Sequence, residues 1–73
     1  MPARRAMARI VSSESTHVGD FVVLSLAAWQ DRSERLSVYA GITATEDDMI
    51  VLRIGRFSAH RFRPHLRRLE IHD

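Results

Sequence analysis

Alternation of apolar and polar residues is clearest between residues 36 and 54. Leu36, Val38, Ala40, Ile42 and Ala44 recur at every second position, the period of a half-buried strand. Glu46, Asp47 and Asp48 follow, and then Met49-Ile50-Val51-Leu52-Arg53-Ile54. With the three acids as a hairpin loop, Thr45 faces Met49, Ala44 faces Ile50, Ile42 faces Leu52 and Ala40 faces Ile54. Directly opposed residues share a face, so this one register gathers six apolar side chains, and a one-residue slip scatters them. It also sets Gly41 opposite Arg53 and Tyr39 opposite Gly55 on the outer face.

On either side the pattern continues as short strands. Val18-Gly19-Asp20 is a turn signal ahead of the apolar run over residues 21–29. Periodicity alone fits that run to a strand or to a helix with Asp20 as N-cap, but its β-branched start and Gly-Asp entry favour the strand. Gly55-Arg56 breaks the second hairpin strand. Residues 57–63 then alternate, with Phe57, Ala59 and Arg61 on one face and Ser58, His60 and Phe62 on the other. Pro64 suits the first position of a helical turn, His65 to Leu69 make about one turn, and Glu70-Ile71-His72 are the candidate last short strand. Residues 1–17 read as a basic, Ser-rich arm with a short strand around Ala8 to Val11 as its ordered alternative. The resulting fold class is mainly β: a small barrel of about five strands over residues 18–73, with one 3-10 or helical turn near the C-terminus. The alternative is an α+β chain with a helix over about residues 21–35.

Size and composition narrow the function classes. The chain has 73 residues and no cysteine, so neither a disulfide frame nor a thiol nucleophile is available. Its longest apolar run is interrupted by Ser25 and falls far short of the ~20 residues a membrane span needs. Residues 1–17 lack the apolar core of a secretory signal, and the expected location is the cytoplasm of a bacterial or phage-infected cell. A core this small rarely supplies more than ~3–5 kcal/mol without a staple. Either the barrel closes well or an edge strand pairs with a second copy, so a homodimer is an open expectation.

The charge pattern carries more than the net +2. All eleven basic residues are arginine. Lysine and asparagine, whose codons both begin AA, are absent together, as a GC-rich bacterial or phage genome would produce. Codon bias explains the residue type but not the clustering. Residues 1–13 hold Arg4, Arg5 and Arg9 with no acid; residues 14–48 hold seven acids against two arginines, net −5; residues 49–73 hold six arginines against Glu70 and Asp73, net +4.

The order of strands, with one short turn of helix before the last, resembles the SH3-like small β-barrel. Gly19-Asp20, Ala27-Ala28-Trp29-Gln30 and Pro64 with Leu69-Glu70 further resemble the small plasmid-borne SH3-like dihydrofolate reductases. Those enzymes work through a Val-Gln-Ile-Tyr strand just before a proline. Here that place reads His60-Arg61-Phe62-Arg63, so the resemblance carries the fold and none of the active site.

Candidate chemistry then rests on Arg53, Arg56, Arg61, Arg63, Arg67 and Arg68. On a barrel these converge along one side, with His60, His65 and Phe62 between them. An arginine and aromatic face can hold phosphates and stack bases, and Phe62, Trp29 and Tyr39 are the candidate aromatic contacts. The competing description is a solvated basic face laced to the acids of residues 31–48 by weak surface pairs. No two of His17, His60, His65 and His72 are spaced i, i+4, and no metal site is expected. Glu46, Asp47 and Asp48 sit at an exposed loop tip, Ser12, Ser13 and Ser15 have no positioned base, and no Gly-rich phosphate loop occurs. The expectation is a non-catalytic module without a cofactor that contacts a polyanion, nucleic acid first. The alternative is a small phage or mobile-element inhibitor that docks on an acidic host or defence protein.

Overall fold

A computed structural model describes residues 4–12, 16–28 and 35–71. Six strands follow one another in chain order: β1 (Arg4–Ile10), β2 (Phe21–Ala28), β3 (Leu36–Glu46), β4 (Met49–Ile54), β5 (Phe57–Arg63) and β6 (Arg68–Ile71), with a 3-10 turn, Pro64–Leu66, before β6. Each is antiparallel to the next, and β6 returns to pair with β1, closing the barrel. The mainly β architecture and the late 3-10 turn are as the sequence predicts. The run from residue 21 is a strand, which removes the helical alternative, and among the described residues there is no α-helix. The strands number six rather than about five, because residues 4–10 form a full stave.

That first strand has its own physical logic. Ala6 and Ala8 point inward and are buried, while Arg5 and Arg9 point out. The strand foreseen around Ala8 to Val11 begins at Arg4 and ends at Ile10. It pairs with β2 (Ala8 opposite Leu26, Ile10 opposite Leu24) and with β6 (Ala6 opposite Leu69, Met7 opposite Arg68). Closure leaves every strand with two neighbours, so the open edge that a second copy would have covered is not there.

The hairpin register agrees with the sequence pattern at its base and departs from it at its tip. Gly41 opposes Arg53 and Ile42 opposes Leu52, but Ala44 opposes Val51, Thr45 opposes Ile50 and Glu46 opposes Met49. The turn is therefore Asp47-Asp48 alone. Neither aspartate has a positive φ, so this is not the left-handed turn that two-residue hairpins favour, and without that turn's matching twist the strands would splay. A bulge between Ile42 and Ala44 takes up the extra residue and adds twist. There the Thr43 hydroxyl donates to the Val51 carbonyl at 3.3 Å.

The β4–β5 connection uses Gly55 at φ +60, a conformation that costs a residue with a Cβ but not glycine. Ahead of β2, Gly19 takes φ +94 at the third position of a turn in which the Asp20 N–H donates to the His17 carbonyl. Ala8, Val22, Leu24, Ala40, Ile42, Ile50, Leu52, Phe62 and Leu69 form the core, with Ile10, Leu26, Val38, Ile54 and Ile71 packed at its rim. No helix among the described residues is long and apolar enough to cross a membrane.

Candidate polyanion interface

Strands β4, β5, β6 and β1 turn their alternate residues outward, and most of those residues are arginine. Arg61 on β5 lies opposite Val51 on β4 and opposite Glu70 on β6; Glu70 in turn lies opposite Arg5 on β1. Arg63 lies opposite Arg68 in the next row. Arg53 is exposed on β4, two residues along from Val51, within diagonal reach of Arg61. Among the described residues, five arginines thus share one outer wall with a single carboxylate.

Glu70 is already engaged. The Arg63 guanidinium donates to Glu70 Oε1 at 2.6 Å, and Arg68 Nε lies 3.9 Å from the same oxygen. At that distance Arg68 Nε is buried with no hydrogen-bond acceptor. Among the described residues, no carboxylate pairs with Arg5, Arg53 or Arg61, and none of Glu46, Asp47 and Asp48 reaches the wall. The lacing of arginines to the acids of residues 31–48 is absent as far as those residues are described; Asp31 and Glu34 lie outside them.

Two of the arginines singled out from the sequence stand apart from this wall. Arg56 occupies the β4–β5 turn, at the opposite end of β5 from Arg63, and a seven-residue strand is about 20 Å long. Arg67 follows the 3-10 turn with φ 51 and ψ 38, a left-handed backbone. It borders a depression of about 340 Å³ over β1 that is lined by Met7, Ala8, Arg9, Ser25, Arg35 and Arg67. Arg5, Arg9 and Arg35 had no place among the candidates. Arg5 and Arg9 belong to residues 1–17, which read as an arm, and Arg35 to residues 14–48, whose charge is net acidic.

The aromatic expectations divide. Phe62 is 1% exposed and belongs to the core, so it is no surface contact; it shares the inward face with His60, which is also buried. Trp29 lies outside the described residues. Tyr39 is 73% exposed on the outside of β3. Beside it stands Phe21, 59% exposed, with ring centroids 6.5 Å apart and planes at 74°, the edge-to-face arrangement aromatic pairs prefer. Phe21 lies over Gly41, where a Cβ would meet its ring at 3.4 Å. In a six-stave barrel β2 and β3 lie across from β5 and β6, but Phe21 and Arg53 both oppose Gly41, so the pair adjoins the wall at its β4 edge and lies away from its β5 and β6 part.

Among the described residues no three His, Asp or Glu side chains are grouped so as to hold a metal ion. Comparison with known protein families, curated proteins and solved structures yields no match.

Proposed function

We propose that this chain is a non-catalytic binding module of the SH3-like barrel class whose partner is a polyanion, nucleic acid first. The observation that carries the reading is the wall on β4, β5, β6 and β1, where Arg5, Arg53, Arg61, Arg63 and Arg68 share one face with Glu70 as the one acid among the described residues. Guanidinium groups stay charged at any physiological pH and present a planar fork to phosphate oxygens. Strands hold them at fixed spacing, and the cost of gathering like charges is recovered only when an anion arrives. Loss of condensed counterions from the nucleic acid then drives association, which makes it steeply salt-dependent.

A labelled oligonucleotide titrated at two salt concentrations tests this. Binding at low salt that weakens in Arg61→Gln/Arg63→Gln supports the reading; its absence at low salt removes it. A second reading has an observation of its own. The exposed Phe21–Tyr39 pair suits an inhibitor that docks on a host protein, since aromatic side chains anchor protein interfaces. Loss of partner capture in Tyr39→Ser, with oligonucleotide binding absent throughout, would favour that second reading.

A further inference from the structure

We propose that the depression over β1 seats a phosphate monoester, gripped by Arg9, Arg35 and Arg67 with the Ser25 hydroxyl as a fourth donor. The three arginines come from three separate parts of the chain, and among the described residues no carboxylate lines the depression. Arg9 and Ser25 are directly opposed across β1 and β2, so their side chains leave the same face about 5 Å apart. Arg35 immediately precedes Leu36, which is opposed to Leu26, the neighbour of Ser25. Arg67 closes the other side.

The backbone of Arg67 is held in place twice over. Its N–H donates to the Pro64 carbonyl at 3.1 Å, and its carbonyl accepts the Ala8 N–H at 2.9 Å. Together these pin a non-glycine residue in the left-handed region, which disfavours any side chain with a Cβ. That backbone caps the 3-10 turn, a place where glycine is the usual residue; here it is an arginine, at the lip of the depression. Arg67 is exposed.

Charge decides the class of anion. A phosphodiester carries one negative charge, whereas a monoester carries about −1.5 to −2 at pH 7, the better match to three permanent cations. The wall offers contacts strung along a surface; the depression offers convergence on one group. That the monoester belongs to the end of a nucleic acid strand rests on the function proposed above; that the seat takes phosphate does not.

The test is an amide-resolved NMR titration of the full chain with inorganic phosphate, chloride holding ionic strength constant. Saturable shifts at Ala8, Arg9, Ser25, Arg35 and Arg67 are expected, with affinity about tenfold lower in Arg9→Gln/Arg35→Gln, the loss of charge-assisted hydrogen bonds. Arg61→Gln/Arg63→Gln should leave this titration unchanged. Shifts that are absent, or that chloride reproduces, overturn the seat. Oligonucleotides ending in a 5′-phosphate, a 3′-phosphate or hydroxyls at both ends then identify the source. One phosphorylated end should bind several-fold tighter than the hydroxyl form, and equal affinity of all three overturns the strand-end assignment. Phosphate binding retained alongside no oligonucleotide binding at low salt would discard the nucleic acid reading and keep the seat.

Discussion

The outside of β2 and β3 and the outside of β5 and β6 cover the same core, yet they differ in kind. On β2 and β3 the exposed positions include Phe21 and Tyr39, packed edge to face. On β5 and β6 they include Arg61, Arg63 and Arg68 with Glu70. Inside, both pairs contribute fully buried apolar side chains, Leu24 and Val22 on one side and Phe62 and Leu69 on the other. Burial of these groups is the dominant favourable term in folding, and it makes no demand on the outer chemistry. The outer residues are therefore where function can be written without disturbing the barrel.

The sharpest way to break that comparison is to exchange depth for surface. Phe62→Ala should cost about 3–5 kcal/mol, which removes most of the stability of a chain this small. Tyr39→Ala on the opposite outer face should change stability by less than about 0.5 kcal/mol. Urea denaturation followed by circular dichroism measures both. Comparable losses from the two would mean that Tyr39 is covered in the folded protein and that the contrast between faces is false.

Next in size is the effect of the wall on binding. Arg61→Gln/Arg63→Gln should weaken an oligonucleotide complex at least tenfold at low salt and make the slope of log K against log salt shallower by about 2, close to one per phosphate contact removed. Fluorescence anisotropy reads both quantities. Phe21→Ser/Tyr39→Ser should leave the slope alone; a change there would extend the contact from Arg53 across Gly41 onto β2 and β3.

A smaller and opposite change is expected at Glu70, the one acid among the wall's described residues. Glu70→Gln removes the 2.6 Å ion pair with Arg63, lying where both side chains are about three-quarters covered, and should cost about 1 kcal/mol. It also leaves the wall's arginines uncompensated, so oligonucleotide affinity should rise while stability falls. A parallel fall in both would show that Glu70 shapes the surface rather than offsetting its charge.

The smallest shift concerns the left-handed residue. Arg67→Gly relieves a backbone cost of about 1–2 kcal/mol against about 0.4–1 kcal/mol of added unfolded-state entropy. The net expectation is a gain of about 0–1.6 kcal/mol in thermal unfolding, together with weaker phosphate binding. Loss of stability instead would indicate that the Arg67 side chain supports the fold.

Much of this fold was legible in the pattern, and the misses have physical causes. Alternation over residues 36–54 placed Gly41 against Arg53 and Ile42 against Leu52 because burying one face makes register expensive to change. It could not show the bulge beside Ala44, since a two-residue Asp47-Asp48 turn with a bulge and a three-residue loop without one share that base register. The strand β1 was obscured because its inward residues Ala6 and Ala8 are small and weak in strand propensity, while its arginines read as an arm. Phe62 was legible in principle: the alternation had set it beside His60, opposite Arg61. Arg9, Arg35 and Arg67 lie far apart in the chain; pairing of β2 with β1 and β3 brings the first two near, and closure of β1 against β6 adds the third. No local motif carries that information.

The central claim is that the wall on β4, β5, β6 and β1 holds a polyanion. The salt dependence of duplex oligonucleotide binding to the unaltered chain tests it most directly. Five arginine contacts predict a slope of log K on log salt of about −4 to −5. A slope near zero, or no complex at low salt, would contradict the account.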